Sequence, residues 1–420
     1  MSIYRCLIEE TSLDFNENIK QGVNMMDTNI KSAISFLMLL ALFVAILIPT
    51  SSEAIPAFAR KTNMACSTCH TAWPSLNAFG RQYKEQGYRF GRLDVPTKTI
   101  SKDLKWNESL PVSVLLASRP YDKKKSGKSK IRALHEVELM VAGPMGDKLS
   151  SFIEIEAEDE VTNGIGFDTG ISSAALTYSI QEAASLQMSW GSITWFDPYN
   201  SYSNHLRMTR GGSSVFDQSF GGADNGGAIK TARQNVSLYG RPLPKFFYAV
   251  SMSGDASDAE GVEGNTVTVR VAYDAIPALT IGALSVSGTC AVNAVNCTSE
   301  RKYTRTAIDV QSEVANFTIN AVALAAKDDN TTATASVKNN AFYVQALYTV
   351  RDGARATWAP LVRYDSYDKN GGSEKVNELT LSVNYYASEN VRSMLEFWNK
   401  DSNNNANDDD RLTLQLTASF

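Results

Sequence analysis

NELTLSVNYY, residues 377–386, alternates without a break. Leu379, Leu381, Val383 and Tyr385 fall on one face of an extended chain, and Glu378, Thr380, Ser382 and Asn384 fall on the other. A period of two marks a half-buried strand, because successive side chains leave a pleated backbone on opposite sides. Neighbouring stretches repeat the pattern. In VRSMLEFWNK (391–400), Val391, Leu395 and Phe397 oppose Arg392, Glu396 and Lys400. TVTVRVAY (266–273) and the closing LTLQLTASF (412–420) read likewise, and no helical period persists beyond Leu110.

Worked outward, this reading places strands at 110–119, 130–142, 149–159, 168–180, 185–193, 234–241, 245–253 and 265–274. It continues with 278–287, 303–312, 316–327, 340–350, 354–366, 375–387, 390–400 and 410–420. The connections alternate in kind. GPMGDK (143–148), QEAA (181–184), RPLPK (241–245), DAIPA (274–278), RDGA (351–354) and ASEN (387–390) are short. PYDKKKSGKS (120–129), residues 194–233, TCAVNAVNCTSERK (289–302) and DSNNNANDDD (401–410) are long and polar. Short turns on one rim, long loops on the other and an even strand number describe an all-β, outer-membrane antiparallel β-barrel of about 16 strands. Nine to eleven residues per tilted strand is roughly what a bilayer requires, and closure removes the unpaired edges that lipid penalises. A soluble sandwich or propeller uses similar strands. The one-sided loops, the terminal aromatic strand and a polar inner face favour the barrel.

Composition excludes some functions. Charged residues make up 20% of the 420 and the formal net charge is −5, which is no basic nucleic-acid binder. Five cysteines, Cys6, Cys66, Cys69, Cys290 and Cys297, are too few for a disulfide scaffold, so each pair needs its own account. Near the N-terminus, Lys31 precedes the apolar run SAISFLMLLALFVAILIPTSSEA. That is a secretory signal peptide with cleavage expected after Ala54, an uncleaved membrane anchor being the alternative. Residues 1–24 are acidic and long for an n-region, so a true start at Met25 or Met26 is the expectation, which would leave Cys6 out of account.

Cys66-Ser-Thr-Cys69-His70 is the C-x-x-C-H attachment pattern of c-type haem. Two thiols three positions apart reach two vinyl groups on one porphyrin edge, and the next residue supplies the proximal imidazole. Zinc would need two further ligands, with only His135 and His205 as other histidines. A thioredoxin-like pair would need a βαβ context that is not visible. One haem c is therefore expected on a segment running over 55–105. No methionine lies between His70 and Met140 to complete the iron. The distal ligand is sought in the long loop 194–233, at His205 or Met208. His135 falls on the apolar face of its strand by alternation and is expected near the rim, towards lipid. A segment this short makes a marginal core alone, so a barrel lumen is its natural cover.

Cys290 and Cys297 share one long loop, and a local disulfide suits an oxidising compartment. On the second and third strands Glu136 and Glu138, and Glu154, Glu156 and Glu158, alternate with apolar residues and share the lumen face. Such a column either concentrates cations, an Fe(II) approach, or is the ordinary charge of a porin lumen.

These residues carry a resemblance. AIPAFARKTNMACSTCH (54–70) resembles the A-x-P-x-F-A-R…C-x-x-C-H opening of fused monohaem cytochrome c–porins, outer-membrane iron oxidases of Fe(II)-oxidising bacteria. TAWPSLNAFGRQYKEQGYRF (71–90) is similar to the next stretch of that group, while the likeness over 110–420 is architectural. Where that family often has Gln-Thr-Gly after the arginine, Lys61-Thr62-Asn63 stands here. The resemblance implies a signal peptide (1–54), a short, mostly helical haem segment (55–105) plugging the lumen, and a barrel (106–420) with its long loops outside the cell. It implies an iron oxidase passing electrons from extracellular Fe(II) through the haem to a periplasmic c-type cytochrome. The alternative is a haem-plugged porin with a transport or sensing role, or a conduit for another extracellular redox partner.

Overall fold

The computed structural model describes residues 56–89, 97–101, 104–107, 111–159, 166–203, 205–217, 227–254, 266–290, 300–330, 334–404 and 407–420. The expected signal peptide, with its alternative starts at Met25 and Met26, lies outside them, as does Cys297.

Sixteen antiparallel strands close into one barrel, as the alternation predicts. They are β1 (Val112–Lys124), β2 (Lys130–Pro144), β3 (Leu149–Glu158), β4 (Asp168–Gln181), β5 (Ala184–Gly191) and β6 (Arg233–Leu243). Next come β7 (Phe246–Ser253), β8 (Thr266–Ile276), β9 (Leu279–Cys290), β10 (Arg301–Val314) and β11 (Phe317–Asp329). The last are β12 (Ser336–Tyr348), β13 (Arg355–Lys369), β14 (Glu374–Ser388), β15 (Val391–Ser402) and β16 (Asp409–Ser419). Val350–Asp352 prolongs β12 along the same neighbour, β13. The circuit closes where β16 pairs with β1, Leu414 opposite Tyr121 and Ser419 opposite Leu115.

The quoted strand shows why the sequence folds this way. In β14, Glu378, Thr380, Ser382 and Asn384 are buried in the lumen, while Leu381 and Val383 are 44% and 41% exposed on the outer wall. The same outward apolar face recurs at Val267, Ile281, Ile308, Phe342 and Leu395, a belt that only lipid would cover. Trp358 with Tyr385 and Phe317 with Tyr348 form ring pairs, 4.5 and 4.7 Å between centroids, close to the short-turn rim.

The lumen is filled from within. Beyond β5 the chain turns inward, burying Ile193, Trp195, Tyr199, Tyr202, Met208 and Val215. This loop is pinned to opposite walls. Ser201 and Tyr202 donate to Asp309 of β10 at 3.0 and 2.9 Å, and Ser213 donates to Asp365 of β13 at 2.5 Å. Arg270 of β8 meets Asp309 at 2.9 Å and Asp197 of the loop at 3.6 Å, all three without exposure. Gly282 on β9 makes room for that guanidinium, since a Cβ there would overlap it. Breaking such a buried pair from one side leaves an uncompensated charge.

Residues 56–89 fold at the other end, with α1 (Ala57–Thr62), a 3-10 turn over Cys66–Thr68, α2 (Ala78–Glu85) and the short pair His70–Ala72 with Ser75–Leu76. Their anchors lie on the rim of short turns. Glu389, between β14 and β15, accepts from the Cys66 N–H at 2.7 Å and from Ser67 Oγ at 2.8 Å. Arg81 pairs with Glu313 at the end of β10, and Arg241 of β6 donates to Glu85 at 2.8 Å. The Ala57 N–H donates to Ser113 Oγ of β1 at 2.7 Å. The segment is therefore a plug in the short-turn mouth.

Candidate haem site

The C-x-x-C-H turn is held from behind by α2. Asn77 caps that helix, accepting from the Gly80 N–H at 2.9 Å while its amide donates to the Thr68 carbonyl at 2.9 Å. The Asn77 N–H donates to the Cys69 carbonyl at 2.9 Å. Gly80 is obligatory for this packing, because a Cβ would sit on the Cys69 carbonyl oxygen.

Cys66, Cys69 and His70 line one face of an apolar cavity of about 1160 Å³ including its open mouth. Phe58, Met64, Trp73, Leu76 and Tyr83 of the plug, Met140, Ala142 and Phe152 of the wall, and His205 and Leu206 of the lumen loop are among its other lining residues. The loop thus brings a second histidine to the cavity that holds the first. Met208 does not line it; it is buried against Ala72, Leu347 and Leu361, 3.9 Å from the Tyr386 hydroxyl.

Both imidazoles are prepared as ligands. His70 Nδ1 lies 3.0 Å from the Pro74 carbonyl, a partner that places the proton on Nδ1 and leaves Nε2 free for a metal. Burial lowers its pKa to about 4, partly offset by the backbone contacts at Pro74 and Ser75, so the ring is neutral at physiological pH. His205 is wedged edge-on between Trp195 and Phe152, ring centroids 4.6 and 5.7 Å away. Its Nδ1 faces Glu154 Oε2 at 3.5 Å, and Ser173 Oγ fixes that carboxylate at 2.7 Å. Burial also lowers the His205 pKa, against the opposing pull of Glu154. Burial first, and Glu389 second, push the Cys66 thiol up to about 12. Lys84 lines the cavity too, its Nζ donating to the Asp197 carbonyl at 3.0 Å.

The carboxylate column stands where alternation puts it. Glu136 pairs across the sheet with Glu158 and Glu138 with Glu156, with Glu154 opposite Met140. Oxygens of Glu136, Glu138 and Glu156 lie within 4.8 Å of one another, as do ligand atoms of His135, Glu136 and Glu158. The column runs from Glu154, beside His205, towards the long-loop rim at Asp159. One expectation fails here. His135 does not face lipid: it is 1% exposed, with Nδ1 2.8 Å from Asp159, which Arg132 also holds. The β1–β2 register shifts on both sides of Arg119, and such an irregularity flips the alternation. Cys290 is disulfide-bonded.

Comparisons with known proteins agree with this wall. A model of the family "Phosphate-selective porin O and P" matches residues 248–420, from within β7 to the end of the barrel. No curated protein matches the chain. Among solved structures, the loop-deleted OmpT of Vibrio cholerae superposes with TM-score 0.54 at 11% identity, over 74% of this chain and 98% of that one. The anion-selective porin of Comamonas acidovorans gives 0.53 at 14% identity over 74% and 98%, and OmpF of Salmonella typhi gives 0.53 at 14% over 77% and 100%. At these identities the likeness is one of fold, and the chain has the closed barrel of outer-membrane porins. The expectation of an iron-oxidising enzyme is overturned, since these matches are to porins, which are passages and not enzymes.

Proposed function

We propose that this chain is a haem-plugged, porin-type barrel of the outer membrane. Its short-turn mouth, facing the periplasm, would be closed by residues 56–89, with one c-type haem seated between that plug and the lumen loop. The observation that carries this reading is the meeting of Cys66, Cys69 and His70 with His205 around a single apolar cavity. Cys66 and Cys69 would hold the group covalently, and the His70 and His205 imidazoles would be available to its iron. So held, a haem supplies one-electron exchange. Around it, Phe152, Trp73 and Tyr83 would exclude water, Pro74 and Glu154 would orient the two imidazoles, and Glu389 fixes the attachment turn to the wall. The resulting function is relay of electrons between a periplasmic c-type cytochrome and an extracellular redox partner, the lumen being occupied against solutes.

The purified full-length barrel should stain for covalent haem after denaturing electrophoresis and give a c-type pyridine haemochrome, both lost in Cys66→Ser/Cys69→Ser. In planar bilayers it should conduct far less than an open porin. Absence of covalent haem, or a steady open-pore current, would refute the reading.

A further inference from the structure

The outer wall carries a hollow that nothing in the lumen explains. On β11, Ala321, Ala323 and Ala325 take three successive outward positions. Their neighbours across the sheet are larger. Val310 and Ile308 of β10 stand opposite Ala321 and Ala323 on one side, and Val344 and Phe342 of β12 on the other. Ile308 is 63% and Phe342 42% exposed, and Tyr364 of β13 backs Phe342 with ring centroids 5.9 Å apart. Ala323 and Ala325 therefore floor a groove between two raised banks, about 830 Å³ including its open face. Thr306 and Asn340, both opposite Ala325, carry it towards the long-loop rim.

One row above Ala325, Lys327 of β11 stands directly opposite Lys338 of β12, both exposed. Like charges directly opposite each other destabilise a sheet. Among the described residues neither ammonium group has an ion-pair partner. Of the carboxylates close to them in register, Asp328 turns inward to Arg305 at 2.9 Å, and Asp329 accepts from the Lys302 N–H at 3.0 Å. Asp368 stands a row below, between Asn340 and Lys375.

An apolar groove and a pair of cations thus meet at one place. From Ala321 to Lys327 the face runs roughly 20 Å, at about 3.3 Å per residue. That is the scale of one leaflet with its headgroup, the hydrocarbon core of a whole bilayer being about 30 Å thick. The long-loop rim is the external one in porin-type barrels. An acyl chain laid along the groove would cover its floor and bring its headgroup level with the two lysines, whose complement is phosphate.

We infer that this face of β10, β11 and β12 binds an acylated, phosphate-bearing lipid of the outer leaflet, with one acyl chain in the groove and a phosphate held between Lys327 and Lys338. The site depends on the barrel lying in a membrane and not on the haem.

The full-length barrel, its folding checked by heat-modifiable gel mobility, is titrated in neutral detergent with lipid A or with dephosphorylated lipid A. Native mass spectrometry counts the bound lipid and the copies of the chain. Lys327→Gln/Lys338→Gln should weaken lipid A binding about tenfold or more, to the level of the dephosphorylated lipid on wild type. Lys327→Arg/Lys338→Arg should retain it. Ala325→Phe, which fills the groove and leaves both lysines, should weaken both lipids. Lys123→Gln, at an exposed lysine near the same rim on β1, should change nothing. Lipid A binding unchanged in the double-glutamine and Ala325→Phe variants overturns the proposal. Loss in only one of the two overturns it as well, since groove and lysines then do not hold one ligand. A dimer or trimer mass that Ala325→Phe abolishes, with lipid A binding untouched, overturns it in favour of contact between barrels.

Discussion

At the scale of the residue, the site turns on one choice between two neighbours. His205 and Met208 are three positions apart in sequence, and either type can ligate haem iron. The fold separates them, turning His205 into the cavity and Met208 into the apolar cluster around Leu347 and Leu361. His205→Ala should convert a low-spin six-coordinate spectrum into a high-spin one, whereas Met208→Ala should leave the spectrum low-spin. Optical and electron paramagnetic resonance spectra of the two variants check this. The opposite pattern would move the distal ligand to sulfur. Glu154 has a subtler part. Facing the far nitrogen of His205, it orients the ring as outer-shell carboxylates do for metal-bound histidines generally.

The plug shows what an element can do that its own sequence cannot. Within residues 56–89, Phe58, Tyr83 and Tyr88 pack on one another, and the barrel supplies further partners. Tyr88 stacks on Phe152 with ring centroids 5.9 Å apart, and Lys84 and Glu85 reach the loop and β6. This docking makes a pH prediction. Burial lowers the Lys84 pKa from 10.5 to about 8, with a smaller opposing pull from Asp197. Burial, then the charge of Arg89, lowers Lys61 likewise to about 8. Between these values and 10.5 the undocked segment binds more protons than the docked one, so docking strengthens as pH rises through that window. Tryptic cleavage of the haem-loaded segment, normalised to an unfolded peptide, should slow from pH 8 to pH 10. The slope should shrink in Lys84→Met.

For the whole molecule, the outer wall and the lumen follow opposite rules. Leu395, 54% exposed on β15, faces the medium that covers the barrel. If that medium is hydrocarbon, Leu395→Arg should cost about 2–4 kcal/mol near the bilayer midplane and less towards a rim. Urea-titrated folding into lipid vesicles gives the number. A neutral result would deny the lipid belt.

Much of this architecture was legible in one dimension because its signals are local. Alternation in NELTLSVNYY reports which face is wet through the geometry of the pleat alone, and the turn lengths report the two rims. C-x-x-C-H encodes its chemistry in five consecutive residues. The misreading of His135 came from the same source: a register shift near Arg119 breaks the period on which the alternation depends. The remainder was out of reach in principle. That His205 shares a cavity with His70, and that Glu389 clamps Cys66, both depend on closing the sheet. Side chains hundreds of residues apart become neighbours only when β16 pairs with β1 and the loop after β5 folds inward. The chain thus set its own wall and its C-x-x-C-H turn by short-range pattern, while barrel closure, a long-range event, decided which side chains share that turn's cavity.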